Sequence, residues 1–368
     1  MATNSGDLIN TGESVTHSGS RSGSESGPLT EHPSFLGRTV RARMINSVLM
    51  LALLGVPVYA YFNGNEFWLD LATRMVILAI AAVSLNFILG FGGLISFGHA
   101  AFIGIGAYAV GIPAHHDEFS AIWHLFYALV AGGLFALITG AISLRTRGVH
   151  FIMITMAFAQ MMFYAIVSIE EYGGDDGLVI YNRSEVPLSE RFAWLDLSEN
   201  LHLFVWCWIS LVVVLYIVYR LVNSRFGLLL QGAKGNEQRM SAIGYGPYPY
   251  RLVAYVISGA MCAYAGALLG NFTGFISPEM MDWTRSGELM FMVILGGTGL
   301  IFGPVLGAVL FLVLEEVLES LMHLVLPEAW QHFAIHWHLP FGIALILSVL
   351  FLKGGVIRFL YGKGAGHE

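Results

Sequence analysis

The chain has 368 residues, 56% of them hydrophobic and only 12% charged, with a mean hydropathy of +0.68 and a formal net charge of -7. A water-soluble domain carries about a quarter charged residues, so a soluble enzyme is excluded, and the lack of a basic stripe excludes a nucleic-acid binder. Apolar runs of about twenty residues, each able to cross a hydrocarbon core of about 30 Å, instead describe an all-α, polytopic membrane protein in a lipid bilayer.

Residues 1–33 are rich in Ser, Gly and Thr and lack the charged start and apolar core of a secretory signal, so they read as a disordered tail. The membrane domain occupies 34–363. Its apolar segments lie at 44–62, 73–90, 94–112, 121–143, 149–169, 202–219, 252–270, 286–301, 303–326 and 337–352. About ten transmembrane segments put both termini on one side. With the termini cytoplasmic, fourteen of the 18 Lys and Arg residues fall on that side, and Arg74, Arg183, Arg191 and Arg285 fall on the other. Such an excess is what orients helical membrane proteins. Trp68, Trp123, Trp194, Trp283, Trp330 and Trp337 sit near the proposed outer ends, as an interfacial aromatic belt would.

Two loops exceed what a connection needs, and long loops in compact domains are often functional. The external loop, 170–201, is acidic and opens with Gly173-Gly174-Asp175-Asp176-Gly177; the internal loop, 222–251, is Gly-rich and mixed in charge. There is also an internal echo. Ile88-Leu89-Gly90-Phe91-Gly92-Gly93-Leu94-Ile95 resembles Ile294-Leu295-Gly296-Gly297-Thr298-Gly299-Leu300-Ile301, with one residue deleted. Paired Gly-interrupted apolar segments point to a transport pathway of broken helices, and Gly equally lets membrane helices approach closely. Whether 90–111 and 296–303 are re-entrant is left open at this point.

No catalytic constellation, phosphate-binding loop or metal-ligand pattern is present, and Cys207 and Cys262 read as packing residues within apolar runs. Polar groups inside spans are the better lead, because an ionisable residue at mid-membrane costs roughly 2.5 to 3.5 kcal/mol. Asn86, Ser96, His99, Gln160 and Glu288 lie in or at the edges of apolar runs, and Glu315, Glu316 and Glu319 lie further on. The expectation for this last set is helix-end solvation at the outer interface. Asn86 and His99 bracket the first Gly-rich turn, where they either line a constriction or hydrogen-bond between helices.

The segment Ser84-Leu85-Asn86 through Gly90, Gly93, Ser96-Phe97-Gly98-His99-Ala100-Ala101-Phe102 and Gly106-Ala107-Tyr108 resembles the signature of branched-chain amino acid ABC-transporter permeases of the LivM type. Arg147-Gly148, the Gly173 to Leu178 turn, Ser224-Arg225-Phe226-Gly227, Asn236-Glu237, Ala242-Ile243-Gly244, Ile276-Ser277-Pro278-Glu279 and Met292 to Ala308 continue the likeness in order. The resemblance implies a type II ABC-importer-like permease in the bacterial inner membrane. It also implies a homologous LivH-type permease partner, two cytoplasmic ATPases that use ATP and Mg, and an extracytoplasmic solute-binding protein. On this reading the chain is no enzyme and binds no cofactor or metal. Asn86, Gly93, Ser96, His99 and Gly299 are its expected pathway residues. Gly227, Asn236, Glu237 and Gly244 are its expected ATPase-coupling residues, and a bulky residue at Gly227 is expected to uncouple transport without harming assembly. The chain departs from the family run at Gly232-Ala233-Lys234-Gly235. The rival readings are a urea or short-amide permease of the same superfamily and a stand-alone ion-coupled transporter.

Overall fold

The computed structural model describes residues 40–185, 197, 199–325, 338–351 and 354–361. The expected tail at 1–33 and the segment 186–196 of the external loop lie outside the described residues. Among those described, strong apolar runs give long helices: α1 (Val40–Phe62), α2 (Glu66–Asn86), α3 (His99–His115), α4 (Ala121–Ser143), α5 (Val149–Val167) and α6 (Asn200–Val222). The internal loop then folds into two short helices, α7 (Arg225–Gly235) and α8 (Glu237–Ala242). They are followed by α9 (Pro247–Thr273), α10 (Trp283–Gly296), α11 (Gly303–Val325), α12 (His338–Phe351) and α13 (Val356–Tyr361).

Among the described residues, six helices are long and apolar enough to cross a bilayer: α1, α2 with its C-terminal extension, α4, α5, α6 and α9. This makes the chain a multi-pass membrane protein. The count of ten is not confirmed: α3, α10 and α12 have 17, 14 and 14 residues, and α11 carries Glu315, Glu316 and Glu319. The α2 span is 89% buried within the chain, whereas α1 and α5 are 22% buried. So α2 stands at the centre with α9, and α1, α4 and α5 turn broad apolar faces outward, as lipid-facing helices do.

The core is built on α9, which packs against α3, α4 and α2. Small residues permit this. A Cβ on Gly106 of α3 would collide with the Ala263 carbonyl, and one on Gly266 of α9 with the Ile103 carbonyl, so the two backbones touch directly. His99 reaches Ser258 on α9, eleven residues past the Pro247 start. At about 1.5 Å per residue, α3 therefore begins about 16 Å along α9. Similarly, the Ala100 amide donates to Ser286 Oγ (2.9 Å) near the start of α10. Both α3 and α10 thus begin midway through the bundle. Residues 94–98, expected to be helical, are an irregular entry to α3. The Leu94 amide still bonds back to the Ile88 carbonyl (3.0 Å), but two further donors go to side chains: the Phe97 amide to Thr155 Oγ1 (3.3 Å) and the Gly98 amide to Ser96 Oγ (3.3 Å).

The approach to α10 is also irregular. It comprises strand β2 (Phe275–Ile276) and a 3-10 turn (Pro278–Met281), and β2 pairs antiparallel with β1 (Leu178–Val179) in the long acidic loop. That loop is pinned by His124, whose ring nitrogens meet Ser184 Oγ (2.7 Å) and the Glu118 carbonyl (2.8 Å). Asn271 Oδ1 accepts from both the amide (3.0 Å) and the hydroxyl (2.6 Å) of Ser184.

Candidate transport pathway and coupling surface

The two glycine runs of the internal echo meet. After Asn86, α2 loosens into a π-helical turn, Phe87–Phe91, while α10 ends at Gly296 and α11 begins at Gly303. A Cβ at Gly90 would lie 2.5 Å from the Gly299 nitrogen and 2.8 Å from its Cα, so only glycine permits this contact. Asn86 fastens it. Its amide nitrogen donates to the Leu300 carbonyl (2.9 Å), and its Oδ1 accepts from the Gly299 amide (3.0 Å). Gly299 has a φ of +79°, a left-handed conformation that glycine adopts without strain.

The remaining expected pathway residues divide. Ser96 and His99 are fully buried, as is Asn86. His99 is held by Ser96 Oγ (3.2 Å) and Ser258 Oγ (2.9 Å), and Ser258 in turn donates to the Ser84 carbonyl (2.5 Å). In this conformation the three side chains brace α2, α3, α9 and the α10–α11 turn, and none opens onto a lumen. Gly93 is exposed and Gly299 half-buried.

Residues that do present charge at mid-depth lie elsewhere. Arg285 and Glu288 of α10 pair at 2.6 Å, and Arg74 of α2 pairs with Glu315 of α11 at 3.5 Å, with side chains between 21% and 39% exposed. All four charges interact electrostatically around Glu315. Glu315 is therefore not solvated at a helix end, as the sequence suggested; ten residues of α11 follow it. Beside this group, Gln160 of α5 donates to Asp282 Oδ1 (2.9 Å), and Asp282 caps α10 by accepting from the Thr284 hydroxyl (2.6 Å). An arrangement of half-exposed charge at this depth faces water or protein, because lipid would leave it unsolvated.

At the end of the bundle where the glycine turns meet, α7 and α8 form a capped pair. Ser224 accepts from the Gly227 amide and Asn236 from the Arg239 amide, as N-cap residues do. Gly244, with φ +88°, closes α8; its amide bonds to the Ser241 carbonyl and the Tyr245 amide to the Met240 carbonyl, a Schellman termination. Glu237 accepts from Arg147 (2.9 Å) and from Arg251 (3.2 Å), and Arg251 also reaches the Ala233 carbonyl (3.2 Å). Gly227 lies at the tight α6–α7 corner, where a bulky residue does not spare the fold as expected. A Cβ there would strike the Val222 and Leu221 carbonyl oxygens, so a bulky residue disrupts the α6–α7 corner itself.

Sequence reasoning named Arg147 and Lys234 only as parts of runs compared with the family and gave neither a contact, and it did not single out Arg251 or the pairing of Arg74 with Glu315.

Residues 67–350 match the family described as the branched-chain amino acid transport system, permease component. The chain belongs to this family. This permease is 26% identical over 313 residues to the high-affinity branched-chain amino acid transport system permease protein LivM of Salmonella typhimurium, covering 80% of this chain and 73% of that one. It is 26% identical over 324 residues to the LivM protein of Escherichia coli, covering 81% and 73%. The autoinducer 2 import system permease protein LsrC of Yersinia pseudotuberculosis is 24% identical over 289 residues, covering 77% and 78%. No solved structure matches the permease significantly. Family membership makes it a membrane component of a transport system, and its relatives are named as permeases rather than enzymes.

Proposed function

We propose that this permease forms half of the substrate pathway of an ATP-driven importer for branched-chain or related amino acids. Its homologous partner permease, two ATPases and a solute-binding protein are separate chains, and ATP and Mg belong to the ATPases. The observation that carries the substrate class is the charged group at mid-depth: Arg74, Arg285, Glu288 and Glu315 supply two cations and two anions. A zwitterion crossing the membrane loses the hydration of both its ammonium and its carboxylate, and a net-neutral set of both signs replaces that hydration. A neutral amide such as urea has no need of it. Each such charge costs roughly 2.5 to 3.5 kcal/mol to place at mid-membrane, and pairing offsets only part of that cost.

The basic residues around α7 and α8 support a cytoplasmic position for this end, where ATPases would press on the membrane domain. The reading therefore keeps both termini cytoplasmic in a bacterial inner membrane. It assigns Asn86, Ser96 and His99 to bracing the pathway walls, Gly93 and Gly299 to the meeting of the broken helices, and Asn236, Glu237 and Gly244 to shaping the coupling surface.

The test is uptake of labelled leucine at micromolar concentration in cells lacking the gene and in complemented cells, with labelled urea in parallel. Leucine uptake restored by the gene and abolished by Arg285→Gln supports the proposal. Urea uptake alone moves the assignment to the amide branch. Uptake in proton-tight vesicles that persists without ATP and collapses with an uncoupler replaces it with an ion-coupled transporter.

A further inference from the structure

The geometry points to Lys234 as the positioning residue that ties the α7–α8 pair to the junction of the two broken helices. This rests on the coupling role proposed for α7 and α8, and adds to it the route by which their motion reaches the pathway.

Three contacts carry the inference. The Lys234 ammonium, in the last turn of α7, donates to the Gly90 carbonyl at 2.6 Å. That carbonyl lies in the π-helical turn, where the neighbouring Leu89 and Ile88 carbonyls take the Gly93 and Leu94 amides; the Lys supplies a charge-assisted donor in place of the helix bond a broken helix loses. The methylene stem of Lys234 lies over Gly93, where a Cβ would come within 2.8 Å of its Cγ. Beyond Gly90 the path continues without slack, because Gly90 abuts the Gly299 backbone and Asn86 bonds to both Gly299 and Leu300.

At its other end, Lys234 belongs to a unit that moves as one body. Arg251 bonds to the Ala233 carbonyl and to Glu237, and Gly232 packs against the Met240 sulfur. A push on α8 therefore arrives at Lys234, and through one hydrogen bond it arrives at both glycine turns. Interfaces packed this closely switch between discrete arrangements rather than deforming continuously. Without the ammonium, α7 slides over the turn instead of moving it.

The test uses the complex purified through a tag on this chain, with its partners, in lipid vesicles. Lys234→Met keeps the apolar stem over Gly93 and removes the charge; Lys234→Arg restores a cation. The first readout is ATP hydrolysed per leucine imported. Lys234→Met is expected to keep ATP hydrolysis within about twofold of wild type while raising the ratio by about tenfold, the scale set by losing one charge-assisted hydrogen bond, and Lys234→Arg is expected to recover most of it.

The second readout needs no substrate. Spin labels at Ile95 and Ile243, both exposed, report the spacing between the turn and α8, while the native Cys207 and Cys262 are fully buried and stay unlabelled. In wild type this spacing is expected to stay constant when nucleotide is trapped, and in Lys234→Met to change and broaden. An unchanged ratio in Lys234→Met, or a spacing that responds to nucleotide identically in both proteins, overturns the proposal. Failure of the wild-type complex to import leucine counts against the substrate reading alone, since the spacing measurement still decides the role of Lys234.

Discussion

The contact between the two glycine turns makes a quantitative prediction for Gly90→Ala. The new Cβ would stand 2.5 Å from the Gly299 nitrogen, and ordinary contact begins near 3.4 Å, so the turns must part by about 0.9 Å. The Gly299 obstacle is backbone and cannot rotate away, and the new Cβ also meets the side-chain Oδ1 of Asn86. The same displacement stretches the Gly299 amide bond to Asn86 Oδ1 from 3.0 Å to nearly 4 Å, beyond hydrogen-bonding range. Overpacking costs about 1 to 3 kcal/mol and the lost bond about 1 kcal/mol, for a total of roughly 2 to 4 kcal/mol. Gly287→Ala is the matched control. It lies inside α10 with nothing within 4 Å of the added atom, so it gains up to about 1 kcal/mol of helix propensity. Thermal unfolding of the two variants in nanodiscs, followed by Trp fluorescence, should separate their midpoints by roughly 6 to 10 °C at about 2 °C per kcal/mol for a chain this large. Coincident midpoints would refute the claim that the turns touch.

Arg251→Ala should destabilise the α7–α8 pair by about 1 to 3 kcal/mol, because it takes a largely buried donor from both Glu237 and the Ala233 carbonyl. Arg147→Ala, whose side chain is 76% exposed, should change stability by less than about 0.5 kcal/mol; amide hydrogen exchange over 225–242 compares the two. Gly227→Ala should lower the yield of folded complex, since it drives a Cβ into two backbone carbonyls at a cost of about 1 to 3 kcal/mol; size-exclusion profiles of membrane extracts report it, and a wild-type yield would contradict the packing described. His99→Phe keeps an aromatic ring between Phe102 and Tyr255 but removes two hydrogen-bond partners. It should lower the unfolding midpoint and leave the KM for leucine within about twofold; a large change in KM with unaltered stability would return His99 to the pathway.

Hydropathy made the long helices legible because lipid-facing and core-facing residues are both apolar, and the turn residues Gly173, Gly244 and Gly299 were visible by type. The same property hid the entry to α3. Leu94, Ile95 and Phe97 are as apolar as any helix, yet their backbone is irregular and the Phe97 amide bonds to Thr155, 58 positions away, which no local pattern shows. The internal echo showed that two runs are alike but not that they touch, since a close approach between Gly90 and Gly299 leaves no periodic trace. Arg74 and Glu315 are 241 positions apart, and no local pattern could pair them. His99 left two readings open in the sequence, a lining residue or a bond between helices, and only the fold brings Ser96 and Ser258 to either side of it.

The two-residue ladder joining Leu178 and Val179 to Phe275 and Ile276 is too small to hold itself together in water, so the helices beneath it must hold it in place. It therefore works as a fuse: these few backbone bonds, which join the acidic loop to the segment that feeds α10, are expected to open before those of the helices beneath. Anything that grips the loop tightens the fuse and steadies the start of α10 at Trp283, about a hundred residues beyond Val179. The exchange rates of these few amides give a gauge of occupancy at that face, readable without following transport at all.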